Sequence, residues 1–265
     1  MGSRGEDGGH QARVTTHTYD RKFFDWVAHG AARSAASVLP VLMPLAPASV
    51  LDVGCGRGTW LQQWRKLGVT DVIGVDGDYV ARESLVVPPE CFIPHDLQLP
   101  LRLGRRFDVV ECLEVAEHIP EAAVEILIDS LCTHGGVILF SAAVPGQGGE
   151  FHVNEQPHSY WRAKFRARGY AMLDVIRPRV VANPQVEPWY RYNCFLFVSE
   201  ARLSTVPEDW RNLDITESPA VPDVSPRAWR LRNAVIRCLP VSAVTWLSRV
   251  HYRLATRLAG RAGKS

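Results

Sequence analysis

Val50-Leu51-Asp52-Val53-Gly54-Cys55-Gly56-Arg57-Gly58-Thr59-Trp60 is the stretch on which the fold turns. A short apolar run enters a glycine-rich turn, and residues at helical spacing leave it. Gly54, Gly56 and Gly58 carry no Cβ, so the backbone can bend sharply there and lie close to a ligand. A helix starting at the turn would aim its free N–H groups at the same place. A doubly wound α/β sheet builds a nucleotide site in this way, at the carboxyl ends of its strands.

The pattern continues on both sides. The spacing predicts strands over 49–53, 71–75, 91–93, 107–112 and 137–142. Helices are expected over 59–66, where Leu61, Trp64 and Leu67 share a face, over 120–131, and over 157–168. Two further strands, 170–176 and 192–199, flank a connection holding Pro184, Pro188, Trp189 and Tyr190. That connection lines a pocket or simply closes a long hairpin. Upstream, a helix is expected over 19–29 and a second over 31–43, interrupted near Pro40.

The loop reads G-x-G-x-G with Asp52 two residues before it, not the G-x-G-x-x-G of a dinucleotide fold. It resembles motif I of the class I S-adenosylmethionine-dependent methyltransferases. The resemblance spans about 49–200 and implies a Rossmann-like, seven-stranded doubly wound sheet with an antiparallel last strand. It also implies N-terminal lid helices, to which a C-terminal helical extension is added here. Asp76 stands where that family places the acid that holds the ribose hydroxyls, and Asp96 and Leu97 where it places the adenine contacts. The donor site it implies comprises Asp52, Gly54, Cys55, Gly56, Trp60, Asp76, Gly77, Asp96, Leu97, Cys112 and Leu113.

Two segments carry the candidate chemistry. Glu114-Val115-Ala116-Glu117-His118 follows the fourth strand, and Gly149-Glu150-Phe151-His152-Val153-Asn154-Glu155-Gln156 follows the fifth. The second resembles a loop of methyltransferases acting on sugars and natural products. An alcohol acceptor must lose its proton, and histidine titrates near neutrality, so His152 and then His118 are the candidate general bases. A metal is the other route. Glu114, Glu117 and His118 form E-x-x-E-H, with His152 as a fourth ligand, resembling metal-dependent O-methyltransferases. Oxygen and imidazole ligands suit Mg²⁺ or Mn²⁺.

Length and composition agree with one α/β domain plus extensions: 265 residues, 46% hydrophobic and 22% charged. The net charge of +2 gives no strong field for nucleic acid, and no specific nucleic-acid partner is expected. Six widely spaced cysteines without a C-x-x-C pair read as reduced thiols of a cytoplasmic protein. No signal-peptide core and no transmembrane run is read. The expected organisation is a disordered tail (1–14), lid helices (15–47), the methyltransferase domain (48–200), a linker (201–225) and a basic amphipathic tail (226–265). That tail has no acidic residue. Arg249, Arg253, Arg257 and Arg261 recur every four positions, beside a Leu247, Val250, Leu254, Leu258 face. A membrane surface, a polyanionic acceptor, a second subunit or simple packing on the domain would each use such a helix.

The expected function is methyl transfer from S-adenosyl-L-methionine to a hydroxyl of a sugar, glycoside or other small natural product. The alternatives are a nitrogen or carbon acceptor, a metal-dependent ribose- or catechol-type O-methyltransferase, a polymer acceptor, or an inactive donor-binding scaffold. A nicotinamide-dependent oxidoreductase is disfavoured by the glycine spacing and by Asp52.

Overall fold

The computed structural model describes residues 21–240 together with 243 and 244. The expected tail 1–14 and the Arg249–Arg261 and Leu247–Leu258 faces lie outside the described residues. Seven strands form one sheet: β1 (Ser49–Val53), β2 (Asp71–Asp76), β3 (Phe92–Pro94), β4 (Val109–Leu113), β5 (Val137–Ser141), β6 (Tyr170–Leu173) and β7 (Phe195–Ser199). Their order is β3-β2-β1-β4-β5-β7-β6. The first five strands run parallel, and β7 is antiparallel to both its neighbours. This is the Rossmann-like sheet expected from the sequence. Helices cover both faces, which is why β4 and β5 are buried throughout and are apolar but for Glu111 and Ser141. The chain order reverses between β1 and β4, so a crevice opens at the carboxyl ends of these two strands.

The helices are α1 (Arg21–Val38), α2 (Thr59–Lys66), α3 (Val124–His134), α4 (His158–Arg166), α5 (Arg177–Val180), α6 (Pro188–Asn193), α7 (Glu208–Arg211) and α8 (Arg227–Arg237). One apolar layer joins Ala35 and Val38 of α1, Leu61 and Trp64 of α2, and Val180 and Tyr190 to one face of the sheet. The other joins Leu127 and Leu131 of α3 and Trp161 and Phe165 of α4 to the opposite face. Phe165 stacks on Phe197 with ring centroids 4.0 Å apart, and Phe140 meets both edge-on. Each such side chain contributes about 1.5–3 kcal/mol by leaving water.

Three expectations change. The two N-terminal helices are one, running through Gly30 to Val38 and followed by a 3-10 turn over Leu39–Leu45. Gly30 survives mid-helix because a Cβ there would lie 2.6 Å from the Glu187 carboxylate. Ala31, Ala35 and Val38 are core residues beside Trp64, so this half of α1 is a wall of the domain, not a lid over it. The second sheet-end pair is shorter than expected, because 188–193 coil into α6 before β7 begins. Finally, the stretch 201–225, expected as a linker, lies folded along the outer edge of β6. Ile215 N–H donates to Met172 O, Asp174 N–H donates to Leu213 O, and Trp210 is buried. Arg177, fully buried, grips Asp174 with two bonds of 2.8 and 2.7 Å and donates to Pro222 O at 2.8 Å. Removing one partner of a buried pair like this costs about 3–5 kcal/mol. Among the described residues no helix is long and apolar enough to cross a membrane.

Candidate functional site

The glycine loop lies between β1 and α2. Gly54, Gly56 and Gly58 have φ of 87°, 51° and 83°, a region that L side chains avoid. Gly54 is also pressed against the turn after β4: a Cβ there would sit 2.2 Å from Val115 Cγ2. Gly56 faces open space, with nothing within 4 Å of its missing Cβ. Its N–H donates to Asp76 Oδ2 at 2.6 Å. Asp76 Oδ1 accepts from Gly77 N–H at 2.7 Å and from the Tyr79 hydroxyl. Burial pushes the Asp76 carboxyl up, and these three bonds act against that rise. Cys55 turns away, its Sγ facing Gly74 across the sheet, so only its backbone borders the loop.

A second acidic pair lies beneath the loop. Asp52 and Glu111 are paired in the β1–β4 register. Burial, then Glu111, raises the Asp52 carboxyl well above the usual range. Burial pushes Glu111 up to about 8, although Trp64 Nε1 donates to its Oε2 at 2.9 Å.

The carboxyl end of β4 carries the next group. Glu114 adopts φ 56°, a strained conformation worth about 1–3 kcal/mol that recurs at functional sites. Its N–H is fixed by Ser141 O at 3.0 Å, and its Oε2 accepts from Gln147 Nε2 at 2.7 Å. Burial pushes its carboxyl up to about 7. Glu117 is fully buried in the following 3-10 turn, and no hydrogen bond of normal geometry reaches either of its oxygens. Burial and then Glu114 raise it well above the usual carboxylate range.

The loop after β5 is strapped onto that turn: Val153 and Asn154 N–H both donate to Glu117 O, at 2.9 and 3.0 Å. This brings His152 Nε2 to 4.0 Å from Glu117 Oε1 and its ring to 4.8 Å from that of His118. His152 Nδ1 lies 2.8 Å from Glu155 Oε1. Glu155 also accepts from the amides of Gly146 and Gly148, both at 2.7 Å. Burial opposes its ionisation, but the His152 and glycine bonds prevail and hold its carboxyl below the usual range.

Glu117, His118 and His152 bring their ligand atoms within 4.8 Å of one another, the arrangement that could hold a metal ion. Glu114 does not join them, because its carboxylate is turned to Gln147. His118 and His152 therefore meet as expected, while the four-ligand set reduces to three.

Trp60, Tyr190 and Glu114 connect the glycine loop to this cluster. Trp60 meets Tyr190 edge-on at 5.0 Å, and no hydrogen bond of normal geometry reaches its buried Nε1. Burial, and then Glu114, raise the Tyr190 phenol. Cys112 and Leu113, at the end of β4, face opposite apolar layers. Asp96 is exposed beyond β3, where its Oδ1 caps its own turn on Gln98 N–H at 2.9 Å; Leu97 is half-buried beside it.

Sequence reasoning missed Gln147, Glu155 and Asn193 as site residues. Asn193 Nδ2 donates to Gln147 Oε1 at 2.7 Å, which aims Gln147 at Glu114. Glu155 had a signal, three residues beyond His152 in the same polar run. The Gln147–Asn193 bond joins residues 46 positions apart, and no local pattern reports it.

A family model described as "Methyltransferase domain" matches residues 27–179. The ubiquinone biosynthesis O-methyltransferase of Psychrobacter cryohalolentis is 30% identical over 165 residues, covering 56% of this chain and 59% of that protein. That of Acinetobacter baumannii is 32% identical over 126 residues, covering 44% and 48%. The chain thus spans about half the length of these curated relatives. Among solved structures, the sugar N-methyltransferase KedS8 of a Streptoalloteichus species superposes with a TM-score of 0.52 at 19% identity, covering 72% of this chain and 99% of that one. This last likeness concerns the fold.

Proposed function

The chain belongs to the methyltransferase-domain family, and from that premise we propose that it transfers a methyl group from S-adenosyl-L-methionine to a hydroxyl of a small acceptor, a sugar, glycoside or other natural product. The observation that carries this reading is the Glu155–His152 pair beside Glu117, at the end of the crevice that the glycine loop opens.

The loop suits the donor. Gly56 faces open space, Asp76 offers a carboxylate at the end of β2, and Trp60 Nε1 is a buried donor that makes no hydrogen bond of normal geometry. When bound, S-adenosyl-L-methionine supplies a methyl carbon already activated by its sulfonium. Asp76 and the loop amides hold it, and Trp60 and Tyr190 wall the path toward the acceptor. Glu155 accepts the Nδ1 proton of His152, which leaves Nε2 as the base. Nε2 takes the hydroxyl proton while the acceptor oxygen bonds the methyl carbon and the carbon–sulfur bond breaks. Holding the two reactants in line can supply about 7–11 kcal/mol of the barrier.

A second reading has its own observation, the buried Glu117 carboxylate within reach of two imidazoles. Glu117, His118 and His152 would hold Mg²⁺ or Mn²⁺, which would acidify the acceptor hydroxyl. The acceptor is the small-molecule partner in both readings, and the buried free thiols suit a cytoplasmic setting.

Calorimetric titration with S-adenosylhomocysteine, followed by turnover on matched hydroxyl and amine acceptors with and without EDTA, tests this. Micromolar binding and methylation of the hydroxyl series are expected. Loss of turnover on chelation would favour the metal reading. Binding with transfer only to amines would overturn the hydroxyl assignment, and binding without any transfer would leave a donor-binding scaffold.

A further inference from the structure

Helix α8 has two unlike faces. The inner face is settled on the site loop. Arg232 donates to Gln147 O at 2.8 Å and to Asn233 Oδ1 at 2.9 Å, Asn233 is buried, and its carbonyl lies against Gly146. The Trp229 ring packs 5.8 Å from that of Tyr192. On the opposite face Leu231 and Val235, four residues apart, are 67% and 56% exposed, and exposed Leu239 follows. Arg227 and Arg230 are exposed on this side of the helix, while Arg237, also exposed, lies with its Cγ against Gly146 on the inner side. Arg230 approaches Asp223 only at 4.0 Å, with both side chains half in water.

We infer that the outward face of α8 docks the protein on an anionic membrane surface. The charge pattern selects this occupant. From 225 to 265 the sequence holds nine Arg and Lys residues and no Asp or Glu. A segment with that bias is repelled by a second copy of itself and attracted to negative charge. Bare aliphatic side chains set among arginines exclude a nucleic-acid backbone as the better match, because Leu231 and Val235 would be stranded against phosphate. An anionic bilayer satisfies both halves, with aliphatic side chains entering the headgroup boundary and arginines meeting lipid phosphates. Docking there would hold the Gln147 loop, and the Glu114 carboxylate that Gln147 fixes, just above the membrane. The inference stands independently of the acceptor proposed above.

The test is co-sedimentation of the full chain with phosphatidylcholine vesicles, with and without phosphatidylglycerol, at low and high salt. Binding should be at least about ten-fold stronger to the anionic vesicles and should weaken with salt. A Leu231→Asp/Val235→Asp double variant should lose about ten-fold in vesicle affinity, and Arg227→Glu/Arg230→Glu a similar amount. Both should keep wild-type affinity for S-adenosylhomocysteine, which shows that they fold. Equal binding to neutral and anionic vesicles, or none to either, would overturn the inference. So would self-association in light scattering that the double aspartate variant abolishes, or nucleic-acid binding stronger than vesicle binding.

Discussion

His152 and Glu155, three residues apart on the loop after β5, form an imidazole–carboxylate pair at 2.8 Å, and the same carboxylate ties down the amides of Gly146 and Gly148. One side chain thus orients the proposed base and shapes the loop that carries it. His152→Ala should reduce turnover by about 10²–10⁴-fold, the usual weight of a positioned base. Its S-adenosylhomocysteine affinity should stay unchanged. Glu155→Gln should lower turnover and also melting temperature, since two bonds to a charged acceptor, each about 1.5–3 kcal/mol, weaken together. Steady-state kinetics beside thermal denaturation separate the two effects. Wild-type turnover in His152→Ala would remove His152 from the chemistry.

Asp76 anchors the glycine loop at the proposed donor end. Its oxygens already organise Gly56 and Gly77, so losing the charge loosens the cradle before any ligand arrives. Asp76→Asn should weaken S-adenosylhomocysteine binding by at least about ten-fold, the equivalent of one charge-assisted hydrogen bond. Calorimetry measures it, and unchanged affinity would show that the ligand does not contact the end of β2.

The glycine loop was readable because its chemistry is local. Positive φ at Gly54, Gly56 and Gly58 demands glycine, and the acid twenty positions beyond Gly56 falls at the end of β2. Strands β1, β4 and β5 were readable because both faces are buried and their runs are apolar apart from Asp52, Glu111 and terminal serines. What stayed hidden is non-local. Nothing near Gly30 in sequence indicates that Glu187 fills the space beside it and that the helix continues. Residues 201–225 look like a linker by their prolines and charges, yet Arg177 and the open edge of β6 capture them. The E-x-x-E-H run put Glu114, Glu117 and His118 on one turn but did not show which way each side chain points. Gln147 draws Glu114 aside, and that depends on Asn193, which lies far away in sequence at the end of α6.

Gly54 couples the donor loop to the turn that carries Glu114. A methyl group there would lie 2.2 Å from Val115 Cγ2, at a φ of +87°. Gly54→Ala should destabilise the protein by about 1–3 kcal/mol through overpacking, and should impair donor binding as well. Adding Val115→Ala should return part of the stability but not all of it, because the backbone strain remains. Urea denaturation of the single and double variants checks this; full recovery in the double variant would mean that strain at Gly54 is negligible.

Glu111 is the carboxyl whose titration should be visible in stability. Burial pushes it up to about 8, against 4.5 in an ordinary setting. The folded chain therefore keeps a proton that the unfolded chain releases above that lower value. This contribution to stability is full below about pH 4.5 and is lost progressively as pH rises toward about 8, at up to about 1.4 kcal/mol per pH unit for one proton. Asp52, raised by burial and by Glu111 itself, adds to the slope in the same direction. Glu111→Gln keeps an oxygen for Trp64 Nε1 but carries no charge, so it removes one titration and relieves Asp52 of the Coulombic part of its shift. Urea denaturation at pH 5, 6, 7 and 8 should show wild-type stability falling more steeply than that of Glu111→Gln, with the variant gaining most at pH 8. Parallel curves would mean that Glu111 ionises alike in both states, and that Trp64 and water already satisfy its charge inside the folded sheet.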